Sequence, residues 1–286
     1  MMGFALGVAA ALCWAGLDVV RKALSGRAAP TALAVCLLVG QLPFLGAWAA
    51  VDQTWVTDSG YWPPAVASMA MNALANVLFM RSVQLSPMSR TVPFLSLTPV
   101  FSALVAIPLL GEVPRPMHWV GISLVVLGAL VLNSDLSDSW WRSVLHEKGA
   151  PYMIAVAVLW ASSTALDKRA LPHASPASHA FLLSAGGGLI LVSWVLSRGT
   201  QAELRQVLRA PKGLLAGLIG FAVAALALQM LALQWLWVAV LETLKRAFGV
   251  LGSVALGRVF FLEPITGRKV GAAALMVIGT AVLALA

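Results

Sequence analysis

Residues 14–40, WAGLDVVRKALSGRAAPTALAVCLLVG, and residues 160–186, WASSTALDKRALPHASPASHAFLLSAG, are two copies of one pattern. Trp14, Ala15, Lys22, Ala28, Pro30, Ala34, Leu37 and Gly40 recur 146 positions later as Trp160, Ala161, Lys168, Ala174, Pro176, Ala180, Leu183 and Gly186, eight identities in 27 positions. Both copies sit in long apolar runs. If each copy holds an odd number of membrane spans, the second must enter the bilayer from the opposite side, which makes an inverted repeat.

Composition points the same way. The chain of 286 residues is 60% hydrophobic and 10% charged, with a mean hydropathy of +0.90, whereas soluble domains carry about 25% charged residues. The net charge of +8 does not indicate nucleic acid, because the 19 Lys and Arg are scattered singly or in pairs at segment ends, where they face headgroups. The opening apolar stretch has neither a basic start nor a small-residue cleavage site, so no cleavable signal peptide is expected. Cys13 and Cys36 both fall inside apolar runs and suggest neither a disulfide framework nor a zinc site.

A span needs about 20 mostly apolar residues to cross about 30 Å of hydrocarbon. Ten stretches qualify or nearly so: 3–23, 31–51, 62–82, 91–110, 117–133, 150–170, 177–197, 213–235, 240–261 and 269–286. The expected fold is therefore an all-α membrane protein of ten transmembrane helices in two inverted five-helix repeats. Residues 1–133 form the first repeat, 134–148 an interfacial linker and 149–286 the second. Proline and glycine mark the breaks, among them Pro63-Pro64, Pro114, Pro116, Pro172 and Pro211. Residues 213–262 have little polar punctuation, and Gln234 with Trp237 marks the expected break there. In 198–212, Leu204, Val207 and Leu208 share one helical face, as in a short helix lying at the interface. By loop parity the basic residues outside the spans concentrate on the face of the first interhelical loop, with only Arg115, Lys168 and Arg169 opposite. The positive-inside tendency would put that loop in the cytoplasm and both termini outside.

Residues 91–121 read TVPFLSLTPVFSALVAIPLLGEVPRPMHWVG, followed by Gly128. The second copy carries Phe261-Leu262-Glu263-Pro264, then Gly271 and Gly279. With Trp14 and Trp160, this series resembles the drug/metabolite transporter superfamily in its ten-span form built from two EamA-type repeats. The likeness covers nearly the whole chain. It implies a multi-pass protein of a bacterial inner membrane that exports or exchanges small organic solutes, as a monomer or homodimer among membrane lipids. The family's habit of cytoplasmic termini opposes the charge count, so orientation stays open. Two departures stand out: Val250 replaces the proline equivalent to Pro99, and Leu262 the glycine equivalent to Gly111.

The candidate site centres on Glu242-Thr243-Leu244-Lys245-Arg246. Ionisable groups within a membrane cost several kcal/mol unless paired or hydrated, and they usually face a cavity. Glu242 partly neutralises Lys245 and Arg246 at i+3 and i+4, which leaves a net positive charge suited to a phosphate or carboxylate. The pair also resembles the phosphate-binding Lys-Arg of plastid triose-phosphate translocators, although Leu95 stands where those proteins carry a further lysine. The competing reading is that both cations snorkel or hold a lipid phosphate.

Asp18 is either a proton or coupling-ion relay or a local ion pair with Arg21 and Lys22. Asn72, Asn76, Ser96, Thr98, Ser102 and Gln229 are candidate polar lining, with interhelical hydrogen bonding the alternative. Trp14 and Trp160 are candidate aromatic walls. Glu112 and Glu263 are read as caps or hairpin fixers of the helix that follows each. Pro99, Pro108 and Gly186-Gly187-Gly188 are either bending points or packing features. The four histidines show no metal-ligand spacing, and no phosphate-binding Gly-rich loop is present. Neither metal nor other cofactor is expected, an intramembrane lipid-phosphate-using enzyme is the remote alternative, and the leading reading is a secondary transporter. A lipid-phosphate translocator or a drug or amino-acid exporter are its variants. An anionic or zwitterionic solute is favoured because Lys245 and Arg246 outweigh Glu242.

Overall fold

The structure is a computed structural model that describes residues 2–25, 29–52, 55–56, 58–86, 91–133, 147–261 and 266–286. Among these residues every regular element is helical: α1 Met2–Ser25, α2 Pro30–Gly40, α3 Leu42–Asp52, α4 Trp62–Leu85, α5 Thr98–Leu110 and α6 Pro116–Asn133 in the first half. The second half holds α7 Ala150–Ala170, α8 Pro176–Arg198, α9 Gln201–Val207, α10 Lys212–Leu233, α11 Val238–Phe261 and α12 Gly267–Leu285. Each of the ten expected stretches is helical, and the weakest expected break falls between Leu233 and Val238. The 134–148 linker lies almost wholly outside the described residues, as do Glu263 and Leu262.

Seven of these helical stretches are long and apolar enough to cross a membrane, and Pro116–Leu132 is a shorter apolar helix. The 24-residue helices α4 and α11 are also long enough and carry polar residues, Asn72, Asn76 and Arg81 on one, Glu242, Lys245 and Arg246 on the other.

Local signals explain the ends. Ser175 caps α8 by accepting from Ser178 N at 3.2 Å, with Pro176 at the first helical position. Gly199 and Gly111 end α8 and α5 at φ 68° and 69°, left-handed values that cost glycine little. The second span is broken at Gln41, between α2 and α3, and the buried amide there donates to Ser184 Oγ at 3.0 Å. The fourth begins as a 3-10 segment, Val92–Leu97, before Thr98-Pro99 starts α5. In α9, Val207 is buried and Leu204 packs beside it. Leu208 departs from expectation at 71% exposure, because the helix ends before it.

The packing has an approximate two-fold pattern. Helix α1 packs mainly on α10 and α11, and its sequence counterpart α7 packs mainly on α4 and α5, so the first helix of each half packs mainly on the other half. Helices α6 and α12 form the most extensive pairing. Their backbones approach so closely that a Cβ on Gly121 would lie 2.9 Å from Gly279 O, and one on Gly279 would lie 2.8 Å from Gly121 O. Small residues permit this contact where lipid tails give no hydrophobic drive to associate. Gly186 likewise abuts Met69, and Gly187 and Gly188 lie against Leu38 and Val39, so the three glycines serve helix packing here.

Candidate functional site

Glu242 lies in the second turn of α11 and is 5% exposed. Lys245 Nζ donates to its Oε1 at 2.8 Å, and the Thr164 hydroxyl of α7 lies 3.0 Å from the same oxygen. A buried carboxylate is tolerable only when paired and hydrogen-bonded, and here both conditions hold. Lys245 Nζ also stands 5.4 Å from the centroid of the Trp14 ring on α1, at cation–π range. The Trp14 indole donates its N–H to Gln229 Oε1 of α10 at 3.0 Å. Arg246 follows, with its Nε buried and without a hydrogen-bond acceptor among the described residues.

Trp14, Gln229, Glu242 and Lys245 are thus brought together from three helices, α1, α10 and α11, and Thr164 of α7 joins them. Trp160 takes a different place, against Phe79 of α4, with ring centroids 5.9 Å apart. Asp18 pairs with Arg21 at 3.3 Å, and its side chain is 63% exposed. Asn76 donates to Asn72 O at 2.8 Å, and Asn72 to Ser68 O and Oγ, so both belong to the α4 backbone and its contact with α7. The Thr98 hydroxyl donates to Leu95 O at 2.7 Å and serves the 3-10 to α junction. Ser102 Oγ is buried without a partner among the described residues.

A second polar cluster was not singled out by the sequence. Asp167, one turn beyond Thr164 on α7, is 2% exposed. Its Oδ1 accepts from Ser68 Oγ of α4 and stands 3.2 Å from His179 Nε2 of α8. His179 Nδ1 is 3.0 Å from the Tyr61 hydroxyl. Ser68, His179 and Tyr61 are all 0% exposed.

Next to it the chain is tied across its halves. Lys168 Nζ donates to Glu112 Oε1 and to Leu236 O, and Glu112 Oε2 accepts from Val238 N at 2.9 Å. The expectation that Glu112 caps the helix after it is corrected: it caps α11. The left-handed Gly111 turns the chain out of α5 toward that N-terminus, where the helix dipole favours an anion. Arg169 Nη1 donates to Leu109 O at 2.7 Å, which satisfies a terminal carbonyl of α5. Further out, Asp58 Oδ2 is 2.9 Å from His173 Nδ1, and Asp58 Oδ1 accepts from Gly60 N at 2.6 Å. The His173 hydrogen bond, then that of Gly60, holds the Asp58 carboxyl below its usual range.

Comparison with known proteins fits this architecture. The EamA-like transporter family matches the chain twice, over residues 1–134 and 147–285. The uncharacterized transporter YwfM of Bacillus subtilis (strain 168) is 25% identical over 134 residues, which is 46% of this chain and 45% of that protein, so the match spans less than half the length of this relative. One solved crystal structure, of a protein given no further description, superposes with a TM-score of 0.78 at 19% identity, covering 100% of this chain and 99% of the other. At that identity the likeness shows the fold alone. Two family matches, an all-helical fold among the described residues and spans that fit a bilayer agree: the chain belongs to the EamA-like transporter family, as a multi-pass integral membrane protein.

Proposed function

We propose that the chain moves a small organic anion or zwitterion by alternating access, with the solute held beside Trp14, Gln229, Thr164, Lys245 and Arg246. The observation that carries this reading is the charge balance around Trp14. Among the described residues Asp18 pairs with Arg21 and Glu242 with Lys245, while the buried Nε of Arg246 has no hydrogen-bond acceptor, which suits its guanidinium to an anionic group. A guanidinium binds carboxylate or phosphate through two parallel hydrogen bonds, and the adjacent indole supplies an apolar wall. Residues 1–133 and 149–286, joined by 134–148, act as two inverted repeats in a bacterial inner membrane. The reciprocal packing of α1 and α7, each mainly on the opposite half, supports that division. Breaking and remaking the Lys168–Glu112 tie is then part of opening one face.

The test is counterflow in proteoliposomes with phosphorylated, carboxylated, zwitterionic and cationic metabolites. Selective exchange of anions or zwitterions, reduced at least about tenfold by Arg246→Ala, a loss of about 1.4 kcal/mol of binding or more, is the expected result. Exchange of cations or neutral solutes that survives Lys245→Ala and Arg246→Ala would overturn it.

A further inference from the structure

We infer that Tyr61, His179 and Asp167 form a proton-binding relay that couples transport to a proton gradient; this rests on the transport reading above and adds its energy source. Asp167 is a buried acid whose hydrogen-bonded neighbours, Ser68 and His179, bring no fixed positive charge. The cations beside it in sequence are engaged elsewhere, Lys168 with Glu112 and Arg169 with Leu109 O. A carboxylate held this way within a membrane protein is costly, and a single proton removes the charge.

The geometry accommodates either state. Without the extra proton, the Tyr61 O–H donates to His179 Nδ1, and His179 Nε2–H donates to the Asp167 carboxylate. When one arrives from water, the Tyr61 oxygen takes it up and passes its own proton to Nδ1. The imidazole then releases its Nε2 proton to Asp167 Oδ1. Every bond reverses polarity: Asp167 O–H donates to Nε2, and Nδ1–H donates to the Tyr61 oxygen. One proton has left water, the tyrosine and histidine end neutral, and the cluster charge changes from −1 to 0. Distances of 3.0 and 3.2 Å serve both polarities. Histidine, with two ring nitrogens that exchange donor and acceptor roles, is the side chain suited to this transfer.

The buried relay lies close to the partly exposed Asp58–His173 pair and to the solute site. Tyr61 immediately precedes α4, and Gly60 beside it lies against His173, whose partner Asp58 is exposed. On α7, Thr164, Asp167 and Lys168 fall within little more than one turn. They touch respectively Glu242 of the solute site, His179 of the relay, and Glu112 of the tie between halves. A change of charge at the middle residue therefore bears on both others.

The titratable and charged groups facing the relay are few among the described residues. The segment before α4 brings Asp58 and Tyr61. The 3-10 turn after α7 brings His173, and α7 itself Lys168 and Arg169. Glu112 follows α5. Helix α4 presents Ser68 and Asn72, neither charged. Asp18, the acid the sequence offers for a coupling role, is exposed and paired with Arg21.

Two measurements test the relay. The first needs no solute: infrared difference spectra of the purified full chain in nanodiscs, between acid and alkaline pH, read the carboxylic C=O band. The expected result is a band lost in Asp167→Asn, displaced in His179→Gln and retained in Asp58→Asn. If Asp167→Asn fails to fold, displacement in His179→Gln decides. A band unchanged in both variants overturns the proposal. The second uses a solute found by counterflow. A pH difference of about one unit supports about a tenfold solute gradient per coupled proton, and the ratio of gradient-driven accumulation to counterflow should fall by about that factor in Asp167→Asn. An unchanged ratio overturns coupling. Should wild-type protein exchange no solute in the panel, the solute reading falls, while the infrared band still decides whether Asp167 binds the proton.

Discussion

Helices α1 and α7 descend from one duplicated sequence and do opposite electrostatic work. At the position where α1 carries Asp18, α7 carries Thr164, and where α1 carries Arg21, α7 carries Asp167. In α1 the charges are exposed and satisfy each other at i, i+3. In α7 the acid is buried and satisfied only by other helices. The shared tryptophans diverge as well: Trp14 gives its N–H to Gln229 and faces Lys245, while Trp160 lies against Phe79. Duplication thus preserves the packing frame, and a few substitutions divide the chemistry, one copy facing the cations and the other burying an acid.

The largest effect expected from breaking this contrast is at Lys168. It loses two partners on substitution, Glu112 and Leu236 O, and leaves a Glu112 side chain that is only 10% exposed. Removing one partner of a buried pair costs about 3–5 kcal/mol, so Lys168→Met should lower the thermal midpoint of the purified protein strongly. Arg21→Met on α1 removes an exposed pair worth about 0–1 kcal/mol and should barely move it. Equal shifts would show that the two copies carry the same structural burden.

A smaller effect separates the tryptophans. Trp14→Phe keeps an aromatic ring but leaves the Gln229 oxygen, on a residue 5% exposed, without its donor. An unsatisfied buried acceptor costs about 1–3 kcal/mol. Trp160→Phe retains a ring against Phe79 and should cost less than the Trp14 substitution. Thermal denaturation of both variants under one condition reads the difference. If Trp160→Phe is the costlier, the polar role of Trp14 is the weaker element of the solute site.

The frame was legible in the sequence because it is written in apolar runs, prolines and a repeat. All ten helical stretches lie where hydropathy and turn residues place them. The Glu242–Lys245 pair was legible too, since i, i+3 spacing on one helix is local information. Thr164, Asp167 and Lys168 were not, because their roles depend on which helices lie opposite. Lys168 and Arg169 read as the charged end of a span until α5 and α11 are placed beside them. Glu112 was misassigned to its neighbouring helix for the same reason. The duplication did hold one usable signal: a copy that swaps Arg21 for Asp167 within an apolar run has placed a charge whose local partner is gone.

The smallest effect lies at the exposed end of the α7 copy and grades the same face by burial. Asp58 and His173 are 54% and 35% exposed, in contrast to the nearly buried Glu112. The Asp58 carboxyl is held below its ordinary range by its His173 and Gly60 hydrogen bonds. A carboxyl depressed on folding stabilises the folded protein above its unfolded value of about 3.9, and the contribution is lost as pH falls through the lower folded value. Wild-type protein should therefore lose a little stability as the medium is taken below about pH 4, and Asp58→Asn should lose less over the same interval. Solvent screens this pair, so the difference should be far smaller than that between Lys168→Met and wild type. If instead Asp58→Asn matched the Lys168 substitution in size, the tie between the halves would rest on the exposed pair, and the buried acid of α7 would not be what distinguishes the two copies.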